Sequence, residues 1–175
     1  MLQVINLTKH LAKVLRFIVS ATSKDDARQV LKTVVCNNHY VATDGFRLHA
    51  TETVDAETGL DGQYTFENLR SSGGKVIAEE DVEWEQFPDY SQIIPVDDPE
   101  CEISLNAKYL YEALKPWATG EGEVVRLSFY GEARPFEVTG KIQTTVDGKD
   151  LTTKAYALIM PMHADHETRP WRPVA

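Results

Sequence analysis

The chain has 175 residues, enough for one domain or two small ones whose core needs no cross-links. An apolar share of 42% beside a charged share of 26% excludes a disordered or fibrous chain. A net charge of −9 argues against indiscriminate nucleic-acid binding over the whole surface.

Val4 and Ile5 predict a short opening strand, and Asn6 or Thr8 can cap the helix that follows. Leu7, Leu11, Val14, Leu15, Ile18 and Val19 recur on one face of a 3.6-residue period. Lys9, Lys13, Arg16 and Ser20 line a second face. No acid occurs in residues 1–24, which carry +4. Surface helices usually intersperse Glu with Lys for i,i+4 pairing, so a cationic stripe without acids is a specific pattern. Residues 30–36 are apolar and β-branched and predict a strand, with Asn37-Asn38 as its turn. Residues 40–43 resume the sheet, Asp44-Gly45 turns it, and residues 46–51 return, so an antiparallel meander is expected. Residues 64–66, 75–78 and 82–84 read as further strands, all within a segment, residues 61–100, that carries −9.

The pattern then restarts. Ser104 or Asn106 can cap a helix over residues 107–117, with Leu110, Ala113, Leu114 and Trp117 on its apolar face and Lys108, Glu112 and Lys115 opposite. Residues 124–130, 136–146 and 151–160 predict three more strands. The order strand, helix, meander thus occurs twice. The expected class is α+β, a single domain over residues 1–163. Its half-repeats span about 1–85 and 100–163 around an acidic connector, its two helices share one side of the sheets, and residues 164–175 form a tail. No apolar run reaches the length of a membrane span, and MLQVINLTKH lacks the order of a secretory signal. Cys36 and Cys101 are too few for a metal quartet or a disulfide framework, so a reducing cytoplasmic location is expected.

The sequence offers no active site. There is no GxSxG, HExxH or GxxxxGK motif. His163-Ala164-Asp165-His166 in an irregular tail lacks preset metal geometry, and Cys36 in an apolar strand reads as a small core residue. No catalytic residue, metal or cofactor is expected.

Three stretches are more informative: YVATDGFRL (residues 40–48), QFPDYSQIIP (86–95) and AYALIMPMH (155–163). The first is a strand pair around an Asp-Gly turn. The second sets Phe87 and Tyr90 around Pro88, a stiff elbow. The third is a strand ending in Met160, Pro161 and Met162, a soft apolar surface suited to peptides of varied shape. Each alone reads equally as core packing and a turn. Together, in this order, they resemble the bacterial DNA polymerase III β sliding-clamp family, in which a TDGHRL-type turn, an FPDY-type connector and a terminal VMPM strand recur.

The resemblance implies a non-enzymatic processivity factor. Its helices line a hole around duplex DNA, with Lys9, Lys13, Arg16, Lys108 and Lys115 facing phosphates without reading bases. It also implies a hydrophobic pocket for short peptides of polymerases, loaders and repair factors, built here from Thr43, Gly45, Phe46, Arg47, Leu48, Pro95, Leu158, Ile159, Met160, Pro161 and Met162. Full-length bacterial clamps carry three domains, and this chain has length for one. It resembles the first half of a middle domain joined to the second half of the last. His163 replaces the family's usual arginine and Phe46 its usual histidine. Two helices per chain would need six copies to close a ring of twelve, a homo-oligomer. A clamp mimic that captures such peptides without encircling DNA fits the same motifs, and a small hydrolase is the third reading.

Overall fold

The computed structural model describes residues 2–37, 39–52, 58–70, 74–80, 86–95, 97, 100, 102–118, 124–131, 134–146 and 149–162. The chain divides into two units, one built on residues 1–96 and the other on residues 97–169. The architecture is α+β, with two antiparallel sheets and two helices.

In the first unit β1 (Leu2–Leu7) leads directly into α1 (Lys9–Val19). Thr8 caps that helix, its Oγ1 accepting from the Leu11 N–H at 3.1 Å. The predicted apolar face is the one that packs: Leu11, Ala12, Leu15 and Ile18 are buried with Val34, Tyr40, Ala42, Val76 and Ala78. Five strands follow: β2 (Val34–Cys36), β3 (His39–Thr43), β4 (Leu48–Glu52), β5 (Gly62–Glu67) and β6 (Gly74–Glu80). The sheet order is β1-β6-β5-β2-β3-β4 with every pairing antiparallel, and β3 is buried at every position.

The expected strand over residues 30–36 forms only in its second half. Gln29–Lys32 is a 3₁₀ turn instead. Thr33 explains the break: its hydroxyl donates back to the Val30 carbonyl at 2.7 Å, which competes with strand pairing. The strand expected at residues 82–84 lies outside the described residues, as does Asn38 of the expected turn.

In the second unit Asn106 caps α2 (Ala107–Leu114), its Oδ1 accepting from the N–H of Lys108 at 2.9 Å and of Tyr109 at 3.3 Å. A 3₁₀ turn at Lys115–Trp117 ends it, and three strands form a meander: β7 (Val125–Ser128), β8 (Phe136–Val146) and β9 (Lys149–Ile159). Trp117, Phe136, Val138 and Ile159 form the buried centre, with Leu110, Leu114 and Ala157 packed against it. The repeat is less regular than expected. No strand precedes α2 among the described residues; where one was expected, the Ser104 carbonyl accepts a single hydrogen bond from the Met162 N–H at 2.7 Å. One bond does not make a ladder.

Candidate functional site

The outer face of α1 carries Lys9, Lys13 and Arg16, all exposed. None of the three has an ion-pair partner among the described residues. Four cations elsewhere are paired: Arg28 with Asp25 at 3.7 Å, Lys32 with Asp26, Arg47 with Asp44 at 3.0 Å and Lys108 with Glu112 at 3.8 Å. Amphipathicity fixes this arrangement, because burying Leu11, Ala12, Leu15 and Ile18 turns Lys9, Lys13 and Arg16 into solvent. Lys108 on α2 and Lys115 in the 3₁₀ turn that ends it are likewise exposed.

The turn between β3 and β4 is rigidly held. Thr43 Oγ1 accepts from the Gly45 N–H at 3.0 Å and donates to the Arg47 carbonyl at 2.7 Å. Asp44 Oδ1 accepts from the N–H groups of Phe46 at 3.0 Å and Arg47 at 3.1 Å, and Oδ2 from Arg47 Nε at 3.0 Å. Burial opposes ionisation of Asp44, but the Phe46 and Arg47 amides and the Arg47 guanidinium outweigh it and hold the carboxyl below its usual range. Gly45 has φ +88°, where a side chain would be strained and a Cβ would stand 3.1 Å from Arg28 Nη1. The result is an apolar ring raised into solvent: Phe46 is 90% exposed, with the Arg28 guanidinium 5.8 Å from its centroid. Arg47 also donates to the Ser20 carbonyl at the end of α1 at 2.7 Å. Leu48 is half-buried.

The connector motif folds onto the first unit. Phe87 is buried and meets Tyr90 edge-on at 6.3 Å. The Tyr90 hydroxyl lies 2.5 Å from Nε2 of His39, whose burial lowers its pKa and favours the neutral imidazole. Asp89 caps a 3₁₀ turn at Tyr90–Ile93, accepting from Ser91 and Gln92. Between this segment and β2 and β5 lies an open groove of about 410 Å³. Pro95 follows the turn on the exposed surface. Cys36 lines the groove but is buried, and desolvation pushes its thiol well above the ordinary range, consistent with a core residue.

At the end of β9 the side chains alternate. Ile159 enters the core, whereas Leu158, Met160 and Met162 are at least half exposed and Pro161 is half-buried. The residues expected to form one pocket thus fall in both units: Thr43, Gly45, Phe46, Arg47, Leu48 and Pro95 in the first, Leu158, Ile159, Met160, Pro161 and Met162 in the second. Within the first unit the turn residues are joined by direct hydrogen bonds. Arg28 was missed by sequence reasoning, and nothing in its polar surroundings marks it as the partner of Phe46. Among the described residues there is no group of three metal-ligating side chains, and no helix is long and apolar enough to cross a membrane. His163 and His166 lie outside the described residues.

No family model and no curated protein matches the chain. Its fold is similar to the crystal structure of the DNA polymerase III subunit beta from Pseudomonas aeruginosa, with a TM-score of 0.60 at 16% sequence identity. The match covers 93% of this chain and 52% of that one, so this chain spans about half the length of the protein it resembles. At this identity the likeness is one of fold: the chain has a clamp-like α+β architecture.

Proposed function

We propose that this chain is a clamp-like, non-enzymatic tether that encircles or rests on duplex DNA and holds replication or repair proteins there through an apolar peptide-binding pocket. The observation that carries the reading is the acid-free cation row of α1 on a clamp-like fold whose net charge is −9. An acidic body repels phosphate, so a single cationic helix face selects where DNA can lie. Lys9, Lys13 and Arg16 act without base contacts, so the tether is indifferent to sequence; Lys108 on α2 and Lys115 just after it contribute. In the first unit Phe46, stiffened by the hydrogen-bonded turn, and in the second the adaptable Met160 and Met162, supported by Ile159 from the core, each offer apolar contacts to a partner peptide.

Two measurements test this reading. The protein is expected to remain on closed circular duplex DNA and to be lost when the circle is cut. A mimic that captures peptides without DNA shows no retention on either. For the pocket, the double change Met160→Ser and Met162→Ser should weaken binding of a fluorescent clamp-binding peptide by about tenfold or more, since burying one Met side chain contributes roughly 1.5–3 kcal/mol. Unaltered peptide affinity refutes that placement.

A further inference from the structure

The cation row on α1 continues into an aromatic ring. Lys9, Lys13 and Phe17 are spaced four residues apart, so they follow one another along the same face, each step about 6 Å up the axis. Phe17 is 49% exposed, although it sits among charges on the face directed away from the core. Its orientation is fixed. His49 of β4 stacks on it with ring centroids 4.3 Å apart and planes 6° from parallel. That imidazole is itself pinned, its Nδ1 donating to the Phe17 carbonyl at 2.7 Å. A second exposed ring follows a lysine on α2, where Tyr111 lies three residues after Lys108 and is 62% exposed.

A phosphate-only surface has no use for such a ring, because paired bases are stacked on one another and present no face to it. An unpaired base does. We propose that Phe17, backed by His49, is a stacking platform for an unpaired base of single-stranded DNA, with Lys9 and Lys13 holding the adjoining phosphates, and that Tyr111 provides a second platform on α2. The proposal rests on the reading of α1 as a DNA-facing surface and extends it from duplex to gapped or single-stranded DNA. Stacking on an aromatic ring tolerates any base, so the platform adds affinity without sequence preference.

The test compares a labelled oligothymidylate with a strand of equal length whose sugars carry no bases, by fluorescence anisotropy of the full chain. Phosphate contacts are the same in both; only stacking differs. The wild-type protein is expected to bind the base-bearing strand roughly tenfold more tightly. Phe17→Ala should narrow the difference, Phe17→Ala with Tyr111→Ala should bring the two affinities together in a chain that still unfolds cooperatively, and Phe17→Trp should keep them apart. Equal wild-type affinities for the two strands, or a Phe17→Ala variant that retains the full difference, overturns the platform while leaving the duplex reading standing. Absence of binding to either strand and to duplex overturns both.

Discussion

Replacing Lys9, Lys13 and Arg16 together by Glu is expected to lower the affinity for circular duplex DNA at least about a hundredfold in about 0.15 M salt, because each neutralised phosphate releases about 0.9 of a counterion and three such contacts supply roughly two decades. Repulsion by the introduced carboxylates adds to that loss. The fold should tolerate the change, since all three side chains are exposed and none holds a partner among the described residues. Opposing helix-dipole effects accompany it. Glu at position 9 faces the positive end of α1 and Glu at position 16 its negative end, each worth only about 0.3–1 kcal/mol. Peptide capture should be unchanged, because the β3–β4 turn reaches α1 through the Ser20 carbonyl and not through these side chains. The check is gel filtration on circular and linearised plasmid beside a peptide-binding titration. Retention that survives the triple change shows that α1 does not face DNA.

The second large effect concerns the smaller core. Gly140→Ala is expected to destabilise the second unit by about 1–3 kcal/mol, the ordinary cost of overfilling a packed interior. A Cβ at Gly140 would stand 2.6 Å from Trp117 Nε1, 3.0 Å from Cε2 and 3.1 Å from Cδ1. Those atoms belong to a rigid indole buried at 5% exposure, not to the free end of a flexible side chain. On the other side, Gly140 is paired with Val125 and with Ala155, so the strand has neighbours on both edges and little room to withdraw. Alanine also recovers the roughly 0.5–1 kcal/mol that glycine costs inside a strand, and the steric term exceeds that gain. Urea unfolding followed by hydrogen exchange of the β8 amides measures the outcome; equal or greater stability contradicts the packing described.

What local pattern can encode was legible in the sequence. The spacing of Leu11, Leu15 and Ile18 located the buried face of α1, and the Asp44-Gly45 turn and the β8 span of residues 136–146 followed from turn chemistry and alternation. Residues 30–32 defeated the same reasoning. Val30 and Leu31 look like strand residues, yet a hydroxyl bond from Thr33 two and three positions on decides for a 3₁₀ turn. Tertiary approaches left no periodic trace at all. The glycine at 140 reads as an ordinary strand defect until Trp117 is seen against it, and His39 gives no sign that its partner is Tyr90, 51 positions away. For the candidate site, the cation row came from helical spacing alone. The apolar turn and the methionine strand came from their resemblance to a family, and the framework that raises Phe46, with Arg28 behind it, became visible only in three dimensions.

Among the described residues, strand β1 pairs in its sheet with β6 alone, with Leu2 opposite Glu79. On a ribosome adding roughly 5–20 residues per second, β1 must therefore wait several seconds for the strand that completes its hydrogen bonds. The β3–β4 hairpin, closing in roughly microseconds, has formed long before. The backbone N–H and C=O groups of β1 stay unpaired through that interval, so the nascent strand is open meanwhile to chaperone capture.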